Sequence, residues 1–230
     1  MRTFAIGDIH GCSVALATLL KQMRLEPGDR LVFLGDYIDR GVNSRGVIDR
    51  VIELESAYEV IPLLGNHEYM LLQSLECGEP SAFWVDYCGG GETLKSYGGR
   101  LADIPSEHVD FFRRCRKFFE SDTHLYIHAN YEPDQPLDVQ IPEILLWQHL
   151  SQSIPRPHQS GKTAIVGHTA QRSGKILNLG HLLCIDTACF AGGWLTSLEI
   201  ESGEIWQVNK FGDVRQSNMA NIPPTTDPYA

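Results

Sequence analysis

Three short polar strings, each placed directly after an apolar run, constrain the fold of this chain more than any other feature. The first third of the sequence alternates short apolar runs with amphipathic stretches, which is typical of βαβ units around a parallel or mixed sheet. The apolar runs predict strands over Thr3–Ile6, Arg30–Leu34 and Tyr58–Leu64. The polar strings after them are Gly-Asp-Ile-His-Gly at 7–11, Gly-Asp-Tyr-Ile-Asp-Arg-Gly at 35–41 and Gly-Asn-His-Glu at 65–68. Because ligands bind beyond the carboxyl ends of strands in open α/β sheets, we expect the three strings to meet at one edge.

The segments that join these strands carry apolar residues at helical spacing. Ser13 and Ser44 are the predicted N-caps of the first two helices, and a third helix is predicted to begin near Glu68. The stretch from Cys77 to Arg100 holds clustered glycines among aromatic residues. This composition predicts an irregular excursion between helical pieces.

The second half is predicted to be richer in strands, and two of its strands are again followed by polar strings. These strings are His128-Ala129-Asn130 and Gly167-His168-Thr169. We expect one domain over residues 1–212 and a polar, loose tail over 213–230. The predicted strands are Leu125–Ile127, Thr163–Val166, Leu182–Ile185, Leu195–Ile200 and Ile205–Val208, and the predicted helices run from Pro105–Ser106 through Phe112 and over Ile144–Leu150.

Charge and composition exclude several classes of protein. The 230 residues carry 29 acidic against 19 basic side chains, a net charge of −10 with His neutral. This balance repels DNA and anionic membranes, so we expect neither a nucleic acid nor a membrane as partner. The apolar stretch at the N-terminus is too short for a secretion signal, and we therefore expect a cytoplasmic protein. The sequence leaves the oligomeric state open.

The residue types in the strings indicate a site for two metal ions. Asp8 and His10 are two residues apart on an extended segment and therefore point to the same side. A carboxylate such as Asp36 can bridge two ions that lie about 3.5–4 Å apart. Ligation by carboxylate, imidazole and amide groups suits Mn, Fe or Zn, and we expect two divalent ions, Mn²⁺ first and Fe or Zn as alternatives. The remaining candidate ligands are Asn66, His128 and His168.

The histidines outside the strings are expected to be surface or structural residues. A single histidine after a strand is more often hydrogen-bonded in the core or at its rim, so the assignment of His128 and His168 depends on the other strings. His181 is the closest competitor of His168 as a ligand.

The order of the strings resembles that of the phosphoprotein phosphatase family of metallophosphoesterases. Within this family, the chain most resembles the small phage lambda and bacterial serine/threonine phosphatases. The similarity covers the strings from residue 7 to residue 169, and Ile185-Asp186-Thr187 resembles the closing segment of the family. It implies an α/β fold of the calcineurin-like metallophosphoesterase type, with residues 1–212 as the catalytic domain. In that fold two mixed sheets form a β-sandwich flanked by helices, with a dimetal centre at one edge.

The resemblance also implies a role for each candidate ligand. A hydroxide bridging two ions would attack phosphorus directly, without a covalent phosphoenzyme. Arg40 would bind the phosphoryl oxygens, because a planar fork of N–H donors suits them. His67, oriented by Asp39, would protonate the leaving alkoxide as general acid. One ion would be held by Asp8, His10 and Asp36, and the other by Asp36, Asn66, His128 and His168.

The sequence departs from the family at one position. The family places a second phosphate-binding arginine two residues after a tryptophan that matches Trp147, but here that residue is His149. His149 is therefore the candidate for a second substrate contact. Arg156 and Arg172 are alternatives for the same contact, and a further alternative is a site that binds substrate more weakly without it.

The resemblance leaves three functions to be separated. The first is a metal-dependent phosphomonoesterase acting on phosphoserine or phosphothreonine in proteins, with phosphotyrosine as a further substrate. The second is a hydrolase of diadenosine polyphosphates or other small phosphoesters, whose pattern lacks an acidic residue before Arg-Gly, where this chain has Asp39. The third, a catalytically silent binding module, would require lost ligands, whereas all six ligand positions hold competent residue types.

Overall fold

Two mixed β-sheets form the centre of the protein in the computed structural model, which describes residues 1–225. The strands are β1 (Thr3–Ile6), β2 (Arg30–Phe33), β3 (Glu59–Pro62), β4 (Phe118–Glu120), β5 (His124–Ile127), β6 (Thr163–Val166), β7 (Leu177–Asn178), β8 (Leu182–Cys184), β9 (Leu195–Glu199), β10 (Glu204–Val208) and β11 (Val214–Asn218). The first sheet has the order β11-β10-β9-β1-β2-β3, and the second has the order β4-β5-β6-β8-β7. Each predicted strand is present, with bounds that shift by up to two residues.

The parallel strands of each sheet end at the same level. In the first sheet β1, β2 and β3 pair in parallel, with Phe33 opposite both Ile6 and Pro62. In the second sheet β5, β6 and β8 pair in parallel, with Val166 opposite both Ile127 and Cys184. The segments that follow these strands therefore begin side by side.

In the described part of the chain, six α-helices join and cover the strands. They are α1 (Ser13–Gln22), α2 (Ser44–Leu54), α3 (Asn66–Cys77), α4 (Ala82–Tyr87), α5 (Gly90–Tyr97) and α6 (Ser106–Arg114), with short 3₁₀ turns at Leu101–Asp103, Leu137–Val139, Cys189–Ala191 and Met219–Asn221. Within residues 1–225, none of these helices is long and apolar enough to cross a membrane.

Three apolar clusters hold the layers together. One cluster joins the facing sides of the two sheets and includes Val32 and Ile165. A second packs helices onto the first sheet and includes Leu16, Val51 and Phe111. The third covers the other side of the second sheet with the segment 131–150. This sandwich of two mixed sheets flanked by helices confirms the predicted α/β fold.

The predicted N-caps of the first two helices were wrong. Asn43 caps α2, since its side chain accepts a hydrogen bond from the N–H of Gly46 at 3.0 Å. Ser44 instead accepts from the backbone N–H of Asp39 at 3.1 Å. Cys12 occupies the N-cap position of α1, and its side chain caps no amide there.

Two further segments differ from the prediction. Residues 77–100 are not an irregular excursion, because α4 and α5 fill most of this stretch and left-handed glycines only separate and end the helices. The predicted helix over Ile144–Leu150 is a single π-helical turn at Glu143–Trp147.

The C-terminal segment that was predicted as a loose tail is partly a strand. Val214–Asn218 pair antiparallel with β10 along its whole length and form the edge of the first sheet. An exposed edge strand is held by backbone hydrogen bonds and needs no apolar pattern. The polar sequence of this segment therefore did not predict a strand. Residues 226–230 of the predicted tail lie outside the described residues, and the extent of the domain over 1–212 stays a prediction.

We expect Asn43→Ala to lower the free energy of unfolding by about 1 kcal/mol, because the amide of Gly46 loses its acceptor. Asn43→Asp keeps an acceptor at the same position and should lose much less. Urea denaturation of the wild type and both variants measures the difference. Equal destabilisation by alanine and aspartate would show that Asn43 does not act as a cap.

Candidate metal centre

The polar strings converge at one edge of the sandwich, where the carboxyl ends of the parallel strands meet. All ten residues that the sequence singled out lie at this edge. Most are buried, whereas His149 and His168 are half-buried and Arg40 is exposed. The ten are Asp8 and His10 after β1, Asp36, Asp39 and Arg40 after β2, Asn66 and His67 at the start of α3, His128 after β5, His168 after β6, and His149 after the π-helical turn.

His10 and His128 are oriented in the same manner, one from each sheet. The Nδ1–H of His10 donates to the carbonyl oxygen of Ile38 at 2.8 Å, and that of His128 donates to Leu34 at 2.7 Å. Each ring therefore turns the lone pair of Nε2 inward, and each Nε2 lies 3.4 Å from a different carboxylate oxygen of Asp36. Metal-binding histidines commonly donate their other N–H in this way.

A second set of acceptors faces inward beside His128. The Nε2–H of His168 donates to the carbonyl oxygen of Trp147 at 3.1 Å, which directs the Nδ1 lone pair at Asn66. The Oδ1 of Asn66 lies 3.1 Å from that nitrogen and 3.0 Å from Nε2 of His128. Three acceptors at these distances repel one another unless a cation lies among them. This set of lone pairs fits a metal ion.

The candidate ligand atoms form two groups that share Asp36. Within each group the atoms lie within 4.8 Å of one another; the groups are His10, Asp36 and His67, and Asp36, His128 and His168. Burial disfavours the charged form of Asp36, but the positive charge that His128, His67 and His10 carry when protonated outweighs it and lowers the pKa of Asp36 well below its usual range. A carboxylate that stays ionised between two sets of imidazoles is suited to bridge two ions.

Asp8 closes the site from the side of β6. Its carboxylate oxygens accept from the backbone N–H of His168 at 3.0 and 3.2 Å. Burial, with the nearby carboxylates of Asp186 and Asp36, raises the pKa of Asp8, and burial raises the pKa of Asp186 to about 6. Three crowded carboxylates favour a bound cation, which would stabilise their charged forms.

The loop after β2 is strained, and Glu68 holds it in place. Asp36, Asp39 and Arg40 have φ angles of +53°, +70° and +66°. Such angles cost a non-glycine residue about 1–3 kcal/mol each. The carboxylate of Glu68 accepts from the backbone N–H groups of residues 36, 37, 38 and 65 at 2.9 to 3.3 Å. Gly65 must lack a side chain, because a Cβ there would lie 2.2 Å from Oδ1 of Asp36.

His67 of the third string and Asp39 of the second form a buried imidazole–carboxylate pair beside the metal ligands. The Oδ2 of Asp39 accepts from Nδ1–H of His67 at 2.6 Å, and Nε2 of His67 lies 3.8 Å from Asp36. Burial alone would lower the pKa of His67, but the charge of Asp36 and the hydrogen bond and charge of Asp39 raise it instead. The protonated form of His67 is thus favoured, and its Nε2 faces the site, as proton donation by a general acid requires.

Two residues that sequence reasoning missed fix Asp39. The indole Nε1–H of Trp84 donates to Oδ2 of Asp39, and the hydroxyl of Thr93 donates to Oδ1, both at 2.7 Å. They come from α4 and α5, inside the stretch that gave no motif. Glu68 was also missed as a loop support, although its place in the third string was a signal.

Arg40 and His149 lie on the open side of the site. The guanidinium of Arg40 donates to Nε2 of His10 at 2.7 Å, and its Cζ lies 4.5 Å from the ring centre of Phe190. The ring of His149 is tilted by 35° against that of His168, with centres 4.2 Å apart. Burial, with the positive charge of Arg40, lowers the pKa of His149. The neutral form of His149 is therefore favoured, and its role as a second substrate contact stays a prediction.

The other candidates are engaged elsewhere or lie on the surface. Arg156 pairs with Asp134 at 2.6 Å, and both side chains are largely exposed. Arg172 is exposed. His181 hydrogen-bonds with the carbonyl oxygen of Pro155 at 2.8 Å. Arg40 is thus the one arginine with a contact to the candidate ligands in the described part of the chain.

Comparison with known proteins shows which family the chain is similar to. A family model for the calcineurin-like phosphoesterases matches residues 1–193. Serine/threonine-protein phosphatase 2 of Salmonella typhimurium is 29% identical over 212 residues, which cover 86% of this chain and 92% of that protein. The symmetrical bis(5'-nucleosyl)-tetraphosphatase of Janthinobacterium sp. is 32% identical over 136 residues, which cover 58% of this chain. That match spans only 45% of the tetraphosphatase.

Solved structures extend the comparison to the fold. The cold-active protein-tyrosine phosphatase of the psychrophile Shewanella sp. has a TM-score of 0.67 and 17% identity, and the alignment covers 94% of this chain and 80% of that one. At this identity the likeness concerns the fold alone. The match over residues 1–193 and the similarity to the Salmonella phosphatase confirm the resemblance that the order of the strings suggested. The chain belongs to the calcineurin-like phosphoesterase family.

Proposed function

We propose that this metallophosphoesterase hydrolyses phosphoserine and phosphothreonine in proteins and that it binds two divalent metal ions. Mn²⁺ is the preferred candidate, with Fe or Zn as alternatives. Bound ions would supply Lewis-acid polarisation of the phosphoryl group and activation of the attacking water. Asp8, His10 and Asp36 would hold one ion, and Asp36, Asn66, His128 and His168 would hold the other. This chain's other residues would bind the phosphoryl group and move the proton.

The observation that carries the proposal is the contact between Asp39 and His67. Serine and threonine alkoxides are strong bases and poor leaving groups, so they need a proton as the P–O bond breaks. The cleavage of a polyphosphate releases a stable phosphate anion and has less need of an acid. A buried His67 that Asp39 orients, and whose pKa Asp36 and Asp39 raise, therefore favours phosphomonoesters of serine and threonine.

Two further observations support the same substrate class. Arg40 is the single arginine that contacts the candidate ligands in the described residues, which suits one phosphoryl group better than a chain of them. The similarity to the Salmonella serine/threonine-protein phosphatase extends over 92% of that protein.

A second candidate is the hydrolysis of dinucleoside polyphosphates. It is favoured by the 32% identity to the Janthinobacterium tetraphosphatase over 136 residues. The two candidates share the metal ligands and differ in the leaving group, so substrate preference separates them.

We expect phosphoserine and phosphothreonine peptides to have the highest kcat/KM in a panel that also contains a phosphotyrosine peptide and diadenosine tetraphosphate. Each substrate is assayed with added Mn²⁺, Mg²⁺ or Zn²⁺ and with a chelator. Activity should require metal, and metal analysis should approach two ions per chain. A preference for diadenosine tetraphosphate would support the second candidate, and no hydrolysis by metal-loaded protein would indicate a silent binding module.

We expect His67→Asn to slow hydrolysis of a phosphoserine peptide by about 10²–10⁴-fold, the usual contribution of a general acid. Hydrolysis of p-nitrophenyl phosphate should suffer much less, because p-nitrophenolate leaves without a proton. His149→Asn is the matched control, since it should slow both substrates by a similar factor. Equal losses on the two substrates in His67→Asn would exclude proton donation by His67.

We expect Asp39→Asn to shift the alkaline limb of the kcat/KM profile for phosphoserine peptides to lower pH. The charge of Asp39 raises the pKa of His67, so its removal lowers that pKa and deprotonates the acid earlier as pH rises. The profile for p-nitrophenyl phosphate is the internal control and should move little. An unchanged alkaline limb on the peptide would show that Asp39 does not tune His67.

A further inference from the structure

A short turn after β8 carries an aromatic ring to the open side of the metal centre. The turn comprises residues 188–192, with Ala188 and Gly192 at φ angles of +61° and +91°. Phe190 lies at its tip and is half-buried. Its ring stands edge-on to His10, with centres 5.0 Å apart and planes at 81°. The same ring lies under the guanidinium of Arg40 at 4.5 Å.

Phe190 does not serve the apolar core. It belongs to none of the three apolar clusters, whereas its neighbour Cys189 is part of the cluster between the helices and the first sheet. The ring contacts a cation and an imidazole instead. Its placement is therefore explained by the site and not by packing of the fold.

The turn that bears Phe190 is rigidly attached. The carboxylate of Asp186 accepts from the N–H of Ala188 at 2.9 Å, and the carbonyl oxygen of Ala188 accepts from the N–H of Gly193 at 2.9 Å. A Cβ on Gly193 would lie 2.1 Å from the carbonyl oxygen of Thr187, so only glycine allows this close return of the chain. The ring is thus presented from a fixed backbone.

Arg40 is the residue that needs such support. Its side chain is the exposed member of the site, and a long side chain loses rotamer entropy when it is fixed. Where the family pattern has a second phosphate-binding arginine, this chain has His149. Arg40 would therefore be the one guanidinium that binds the phosphoryl group. Contact of its flat face with an aromatic ring holds the cation and leaves the N–H groups that do not point at His10 available for phosphoryl oxygens.

We propose that Phe190 is a positioning residue that holds the guanidinium of Arg40 in the orientation that binds the phosphoryl group. The inference rests on the phosphoryl-binding role of Arg40 within the proposed function. Phe190 itself makes no contact with the reacting atoms in this scheme. It acts on substrate binding through Arg40.

The first test compares the inhibition constant of inorganic phosphate and the KM of a phosphopeptide in Phe190→Leu and Phe190→Tyr. Loss of the aromatic face in Phe190→Leu should raise both constants about two- to tenfold, and Phe190→Tyr, which keeps the face, should stay close to the wild type. Phe211→Leu is the matched control, because Phe211 is exposed and lies 5.4 Å from a cation, Lys210, outside the site. Tyrosine and leucine variants that behave alike would overturn the proposal.

The second test is a double-mutant cycle with Arg40→Ala. If Phe190 acts through Arg40, Phe190→Leu adds no further loss of phosphate inhibition in the Arg40→Ala background. The same fold-loss in both backgrounds would overturn the proposal. If Arg40→Ala alone leaves phosphate inhibition unchanged, the premise about Arg40 fails, and the inference falls with it while the activity on phosphopeptides stands.

A third readout does not depend on catalysis. Titration calorimetry with Mn²⁺ and urea denaturation should give the same metal affinity and the same free energy of unfolding for Phe190→Leu and the wild type. Weaker Mn²⁺ binding would show that the ring acts on His10 and would overturn the assignment to Arg40.

Discussion

The charge on Asp36 is the constraint on which the rest of the structure depends. This carboxylate is buried at the junction of the two sheets, where an unpaired charge would be very costly. Imidazoles surround it from both sheets, and the charge that they carry when protonated lowers its pKa. It also lies on a left-handed turn that Glu68 secures through four backbone N–H groups. The level ends of the parallel strands are what allow these groups to meet around it.

Local sequence predicted the part of this arrangement that follows from strand ends. Short apolar runs marked the buried strands, and the strings after them marked the edge where His10, Asp36 and His128 converge. These predictions succeeded because a parallel strand fixes both its direction and the place where the next residues emerge. The sandwich of two sheets was implied by the family resemblance, whereas the pattern of strands alone predicted a parallel or mixed sheet.

The parts that the sequence did not predict depend on partners distant along the chain. Trp84 and Thr93 are unremarkable until the fold brings them to Asp39, and Phe190 acquires a meaning only beside Arg40. The edge strand at 214–218 is polar because backbone pairing and not burial holds it. Ser44 resembled a helix cap by its type, yet its hydroxyl serves the loop of Asp39. Periodicity and residue type carry no information about such long-range contacts.

Helices α4 and α5 support the proposed general acid without contributing to the proposed metal ligands. They supply both donors that fix Asp39, yet none of the six proposed metal ligands comes from them. Substitutions in these helices could therefore change the pKa of His67 to suit leaving groups of different basicity, without disturbing the metal ligands. Exchange of these two helices could thus adapt the same set of metal ligands to different phosphate esters.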